Sequence, residues 1–187
     1  MANMFWFSFK FNKQIGDCLH HFKRSDEDIY EAVNEWCENP ERAAKKYGHI
    51  SKWITKDVTN MQGLFHNKKK FNDYIGDWNV SNVRNMACMF YNAVSFNRSI
   101  GSWDVSNVTN MGCMFMWSLS FNKHIGGWNT TNVTNMTCMF YNAASFNQYI
   151  GLWNVTRVKS LNSMFRHAKR FNQDLRNWNI SRSTDAR

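Results

Sequence analysis

The stretch Trp78-Asn79-Val80-Ser81-Asn82-Val83, continued by Met86, Met89-Phe90, Phe96-Asn97 and Ile100-Gly101, decides the fold, because Trp103 starts the same series again. Tryptophan recurs every 25 residues, at Trp53, Trp78, Trp103, Trp128, Trp153 and Trp178. Outward from this stretch, four further apolar columns keep the step without a gap: Val58/Val83/Val108/Val133/Val158, Met61/Met86/Met111/Met136/Leu161, Phe65/Phe90/Phe115/Phe140/Phe165 and Phe71/Phe96/Phe121/Phe146/Phe171. A fifth runs Ile75/Ile100/Ile125/Ile150/Leu175. Fixed apolar positions at a period of 20 to 50 residues mark a chain whose units bury their hydrophobic faces only against their neighbours. A propeller blade needs about 40 residues or more, so a period of 25 predicts one coil of a right-handed repeat solenoid per unit.

Spacing inside the unit changes midway. Trp78 to Val80 is a strand-like step of two, whereas Val83, Met86 and Met89 are three apart, which a flat strand would not bury on one face. The pattern predicts one short strand near Trp-x-Val in each coil, followed by tight or 3₁₀-like turns.

Residues 25–48 read differently. Ser25 with Asp28 resembles a capping box, and Ile29, Ala32, Val33, Trp36 and Cys37 fall on one helical face. Asn39-Pro40 predicts the cap and first position of a second helix, with Gly48 as its stop. A polar-backed helical pair beside the first coil is expected to cap the stack. Upstream, Met4-Phe5, Phe11-Asn12 and Ile15-Gly16 reproduce repeat spacing, with Cys18 where tryptophan would stand. The expected organisation is therefore an N-terminal segment with a degenerate half-repeat over 1–24, a helical cap over 25–48, the repeats over 49–181 and a basic tail over 182–187.

The unit Trp-Asn/Asp-Val-Ser-Asn-Val-Thr-Asn-Met, followed by Met-Phe, Phe-Asn and Ile-Gly-x-Trp, resembles the BspA-like leucine-rich-repeat surface proteins of mycoplasmas, other bacteria, algae and large DNA viruses. Ala32-Val33, Trp36-Cys37, Ala43-Ala44 and Tyr47-Gly48-His49-Ile50 are similar to the lead-in segment of algal and viral members. Together the likeness spans about residues 29–181. It implies a leucine-rich-repeat-like fold used for binding or attachment, with a surface or virion-associated role and no catalytic residues.

Composition limits the function classes. Of 187 residues, 43% are apolar and 16% aromatic, which is core-forming rather than disordered. Mean hydropathy is −0.57 and no run approaches the roughly 18 apolar residues of a membrane span. Met4-Phe5-Trp6-Phe7 lacks preceding basic residues and makes a poor signal peptide, so an intracellular location is expected, with a virion-associated one implied by the resemblance. No phosphate loop, nucleophile elbow or metal helix is present, and no cofactor is expected. Cys88, Cys113 and Cys138 share one repeat position and read as small core thiols, without histidines at metal-ligand spacing. Sequons at Asn79, Asn107, Asn132 and Asn154 are by-products of the repeat. A column of Asn72, Asn97, Asn122, Asn147 and Asn172 is expected to satisfy turn backbone groups coil after coil.

Two surfaces remain as candidates for binding. The pair after each column asparagine varies: Asp73-Tyr74, Arg98-Ser99, Lys123-His124, Gln148-Tyr149 and Gln173-Asp174. A repeat scaffold varies its partner face in this way, so Asp73, Tyr74, Arg98, Lys123, His124, Gln148, Tyr149 and Gln173 are the candidate protein contacts. The net charge of +9 is uneven, with eight Lys/Arg against two Asp/Glu after residue 156. Lys68, Lys69 and Lys70 form one basic knot, and Arg166, Lys169, Arg170 and Arg176 a second. Lys69/Lys70 and Lys169/Arg170 share repeat positions, which places them on one edge about 19 Å apart at the spacing of neighbouring strands. That edge suits nucleic acid, an anionic membrane or an acidic protein face.

Overall fold

The computed structural model describes residues 22–181 and 184–186. The expected half-repeat at residues 4–16 lies outside them, as do Cys18, Arg182 and Arg187. The elements in order are β1 (Lys23–Ser25), α1 (Ile29–Glu38), α2 (Pro40–Tyr47), a 3₁₀ turn (Ile50–Lys52) and β2 (Ile54–Asp57), followed by repeating turns.

α1 buries Ile29, Ala32, Val33 and Trp36, the stripe that its spacing dictates. Its N-terminal boundary is Asp28 rather than Ser25, because Ser25 belongs to β1. The Asp28 carboxylate turns back to accept the Ser25 N–H at 2.9 Å and pairs with Arg24. Asn39 caps α2 by accepting the Arg42 N–H at 2.9 Å, and Pro40 occupies the first turn, where no intrahelical donor is needed. Gly48 ends α2 at φ 71°, and a Cβ there would sit 2.1 Å from the Phe22 ring, so two separate constraints select glycine. Trp36 and Tyr47 meet Trp53 edge-on at 6.3 and 6.2 Å, which joins the helices to the first coil.

From residue 58 onward, each 25-residue unit stacks on the one before. The N–H groups of Met61, Gly63, Phe65 and Asn67 donate to the carbonyls of Asn85, Ala87, Met89 and Tyr91 at 2.8–2.9 Å, and the same four bonds recur in the coils that follow from Met86, Met111 and Met136. Parallel bridges run through Asn60, Asn85, Asn110, Asn135, Ser160 and Asp185. The strand expected near each Trp-x-Val is a point of difference. Among the described residues only the first coil has one, β2, pairing in parallel with β1, and the only 3₁₀ turn is Ile50–Lys52. In the other coils the inter-coil ladder lies along Met-x-x-Met-Phe instead. It cannot become a regular strand, because Gly63, Cys88, Cys113, Cys138 and Ser163 all take positive φ, between 53° and 65°. The steps of three are turns closed by i to i+3 bonds, as in Met89 N–H to Met86 O, Phe96 to Ala93 and Trp103 to Ile100.

Two phenylalanine columns fill the interior. Phe65, Phe90, Phe115, Phe140 and Phe165 stack at 5.4–5.8 Å between ring centres, with neighbouring rings within 7° of parallel. Each also lies about 4 Å from its partner in the Phe71/Phe96/Phe121/Phe146/Phe171 column. The tryptophan column adds a polar rivet. A buried indole N–H needs an acceptor, and Trp78, Trp103, Trp128, Trp153 and Trp178 find it in the carbonyls of Ile50, Ile75, Ile100, Ile125 and Ile150, at 2.9–3.2 Å. The asparagine column does the same work outside: the Asn97, Asn122, Asn147 and Asn172 N–H groups each donate to the side-chain oxygen of the asparagine one coil earlier, at 2.9–3.0 Å.

The Ile-Gly glycine has its own reason. A Cβ at Gly76, Gly101, Gly126 or Gly151 would lie 2.4–2.7 Å from the carbonyl oxygen of residue 99, 124, 149 or 174 in the next coil. Arg176 holds the equivalent place in the last coil. Residues 184–186, expected as part of a basic tail, continue the ladder, with the Leu161 N–H donating to Asp185 O at 2.7 Å.

Candidate functional site

The variable pairs divide into two kinds of residue. First members are half-buried or tied to the previous layer. Asp73 accepts the Trp36 indole N–H at 2.9 Å, Arg98 Nε donates to Asn72 O at 2.6 Å, and Gln148 and Gln173 donate to Asn122 and Asn147 side chains at 2.9 Å. Lys123 is half-buried beside them. Second members face solvent: Tyr74 is 45% exposed and Tyr149 40%, and His124 is exposed too. The Tyr74 hydroxyl donates to Asp77 at 2.7 Å. The predicted face is therefore half scaffold, because Arg98, Gln148 and Gln173 reach back to the preceding coil and Asp73 to α1.

A different surface brings more together. Residues 66–70 and their counterparts 91–95, 116–120, 141–145 and 166–170 turn one corner of every coil. The Ser95, Ser120 and Ser145 N–H groups donate to the carbonyls of Lys69, Val94 and Leu119, which keeps this corner in register. Rings line it: His66 meets Tyr91 edge-on at 4.6 Å, Trp117 and Tyr141 lie 6.4 Å apart, and Tyr141 meets His167 at 5.4 Å. Trp117 is 42% exposed. Lys69 and Lys70 are exposed at one end of the corner, Arg166, Lys169 and Arg170 at the other, and Lys68 is half-buried. The 25 corner residues include no Asp or Glu. In the sequence, Tyr91, Met116, Trp117 and Tyr141 already stand off the regular columns as candidate exposed contacts, and the structure brings them onto one corner between the basic knots. Aligning these columns for missing acids would have shown that they form one surface.

Arg176 stands apart from that corner. Its guanidinium forms a two-pronged pair with Asp174 at 2.7–3.0 Å, so its charge is already answered. Glu38 and Asp73 line a cleft of about 420 Å³ with Lys68–Lys70, Trp36 and Pro40, and both have partners: Glu38 pairs with Arg42 at 3.9 Å and Asp73 with Trp36.

Cys88, Cys113 and Cys138, expected as buried core thiols, are partly exposed instead, because their positive φ places them on the inter-coil ladder rather than in the core. Burial first, then the neighbouring Cys88 and Cys138 thiols, pushes Cys113 up to about 12, and burial raises Cys88 as well. At neutral pH Cys88 and Cys113 remain thiols rather than nucleophilic thiolates. Among the described residues, no group of three or more His, Cys, Asp or Glu is placed to hold a metal ion. The sequon asparagines are structural: Asn79 and Asn154 accept the N–H two residues on, and Asn107 and Asn132 donate to Ser81 and Ser106 carbonyls.

Two features near the cap are invisible to pattern reading. Arg24 is 4% exposed, paired with Asp28 and set over the rings of Tyr47 and Trp53 at 4.9 and 5.3 Å. Its burial draws the guanidinium below its ordinary range, against the opposing pull of Asp28. Asp26 accepts from the N–H groups of Thr59 and Asn60 at 2.8 and 3.0 Å and from the Thr59 hydroxyl. Burial pushes its carboxyl upward, but these three bonds outweigh it and hold the group below the usual range.

Stacked 25-residue units that share buried Phe, Trp, Val and Met/Leu columns define a repeat protein. Residues 34–137 and 118–187 match the family described as "Mycoplasma protein of unknown function, DUF285", and the chain belongs to that family. No curated protein and no solved structure matches it. Among the described residues no helix is long and apolar enough to cross a membrane.

Proposed function

We propose that this chain is a leucine-rich-repeat-like solenoid of the BspA-like kind, acting as a non-catalytic scaffold for protein–protein interaction within a surface or virion-associated assembly. The observation that carries this reading is the corner ribbon. Its partly exposed rings between two basic knots are not needed for the core, which the Phe and Trp columns already fill. Exposed aromatic and arginine side chains are the residue types that anchor interfaces.

The test is native capture at about 150 mM salt, with and without nuclease, using the wild-type chain and a Trp117→Asn variant as bait. A stoichiometric protein that survives nuclease and is lost with the variant is the expected result. A catch that disappears with nuclease, with affinity falling about a thousandfold or more between 50 and 200 mM salt, would replace this reading with polyanion binding through the basic edge. The second reading has its own support, since Lys69, Lys70, Lys169 and Arg170 share corner positions free of acids.

A further inference from the structure

The corner has a backbone peculiarity at its centre. In the column Asn67, Asn92, Trp117, Asn142 and His167, every residue takes positive φ, between 54° and 62°. Asparagine tolerates this conformation well, and in the first two coils the side chains link, Asn92 Nδ2 donating to Asn67 Oδ1 at 2.8 Å. A bulky aromatic residue there is strained and gains no core burial, since Trp117 is 42% exposed. Residues held in strained backbone regions gather at binding and switch sites. Folding gives no reason for tryptophan at the middle coil, whereas recognition does.

Charge distribution limits what it recognises. Positive charge stands at both ends of the corner, on Lys69/Lys70 and on Arg166/Lys169/Arg170, and the three coils between carry none there. A nucleic-acid strand bears charge at every nucleotide and would leave its central phosphates against Tyr91, Met116, Trp117, Leu119 and Tyr141. A segment that is acidic at both ends and apolar in the middle complements the corner along its whole length. The ends are four coils apart, roughly 19 Å at the strand spacing, and an extended chain advances about 3.3 Å per residue, so roughly six residues span the gap.

We infer that this corner is a docking surface for an extended peptide segment of a partner protein, with acidic or phosphorylated residues at both ends of an aromatic or aliphatic stretch of about five or six residues. The inference rests on the scaffold reading and specifies the chemistry of its partner. Trp117 is the central anchor, and the two basic knots fix the position of the segment along the stack.

The test uses synthetic fluorescent peptides and the full chain. The probe has two acidic residues, five uncharged residues including Leu and Tyr, and two acidic residues. Controls carry all four acids at one end, or serine in the middle, and a single-stranded oligothymidine of equal length is measured alongside. Fluorescence anisotropy at 150 mM salt is expected to show the two-ended peptide binding about tenfold or more tighter than either control. Trp117→Asn returns the column to its common residue, so the fold should hold by circular dichroism while binding falls at least about tenfold. The double variant Lys169→Glu/Arg170→Glu should lose the two-ended peptide and gain one with an acidic and a basic end.

Equal binding of the one-ended control, or no effect of Trp117→Asn, would overturn the inference. So would oligothymidine binding more tightly than every peptide. If no peptide binds while native capture still depends on Trp117, the peptide chemistry is wrong and the scaffold reading stands. If capture also fails, both fall.

Discussion

The first and the last described coils are bounded in opposite ways. At the first coil, α1 and α2 close the interior, with Trp36 and Tyr47 packed on Trp53 and with Arg24 and Asp26 tying β1 to the coil. At the last coil no such element follows among the described residues. Phe165, Leu175 and Trp178 are half-buried, Ile180 is 43% exposed, and an apolar hollow of about 350 Å³ opens between them. The N-terminal end is covered by sequence that departs from the repeat. The C-terminal end keeps the repeat and changes single residues, such as Arg176 for glycine and Leu161 for methionine. The interior is closed by an added element beside the first coil, whereas the last described coil departs from the repeat only residue by residue.

The sharpest way to break this comparison is to truncate the same side chain in the middle and at the open end. Trp128→Ala removes a 3%-exposed indole and its bond to Ile100, and should cost roughly 3–5 kcal/mol in chemical denaturation. Trp178→Ala, half-buried, should cost clearly less; equal losses would mean that the last coil is as fully covered as the middle.

The next contrast is glycine. Gly126→Ala places a Cβ 2.4 Å from Tyr149 O and should destabilise by about 1–3 kcal/mol, whereas Arg176→Gly should stay within about 1 kcal/mol. Comparable melting shifts would remove the claim that inter-coil approach selects the glycine column.

At the capped end, Asp26→Ala deletes the acceptor of three hydrogen bonds and should cost roughly 1–2 kcal/mol. Because the folded carboxyl sits below its unfolded value, its contribution is present above the ordinary carboxylate range and is lost as pH falls through the lowered value. The acid limb of a stability–pH curve should therefore be shallower in the variant, and an unchanged limb would discard the tie.

The smallest effect concerns Cys113. With its thiol raised to about 12, iodoacetamide labelling at pH 8–9 should run at least about tenfold slower in the folded than in the denatured chain. The unfolded thiol loses its proton first, so this group lowers stability as pH rises past about 9. Fast labelling of the native chain would contradict the raised, partly buried Cys113 thiol.

Much of the interior is legible in the sequence, because a core column must repeat at the period of the coil. The Trp, Phe, Met and Ile positions announce themselves in this way, and the helix stop at Gly48 follows from local chemistry. The inter-coil ladder is not legible. Its place depends on positive φ at Cys88, Cys113 and Cys138, and cysteine gives no such signal. The variable pairs mislead because tolerance and exposure look alike: Arg98, Gln148 and Gln173 vary in type yet all bond to the previous coil. Arg24 escapes for a related reason, since a lone arginine among charged neighbours reads as solvated until the rings of Tyr47 and Trp53 are brought around it.

The glycine column also governs how such a molecule changes length. A unit that carries glycine two residues before the tryptophan leaves room for the carbonyl of the next unit. Copies inserted among the units of Gly76 to Gly151 keep that approach, so the two basic knots are carried apart unchanged. Each inserted copy would lengthen the corner by about 4.8 Å, between one and two residues of extended chain. Copy number is then a ruler, and duplication of an internal unit would retune the length of the bound segment without altering a single contact residue.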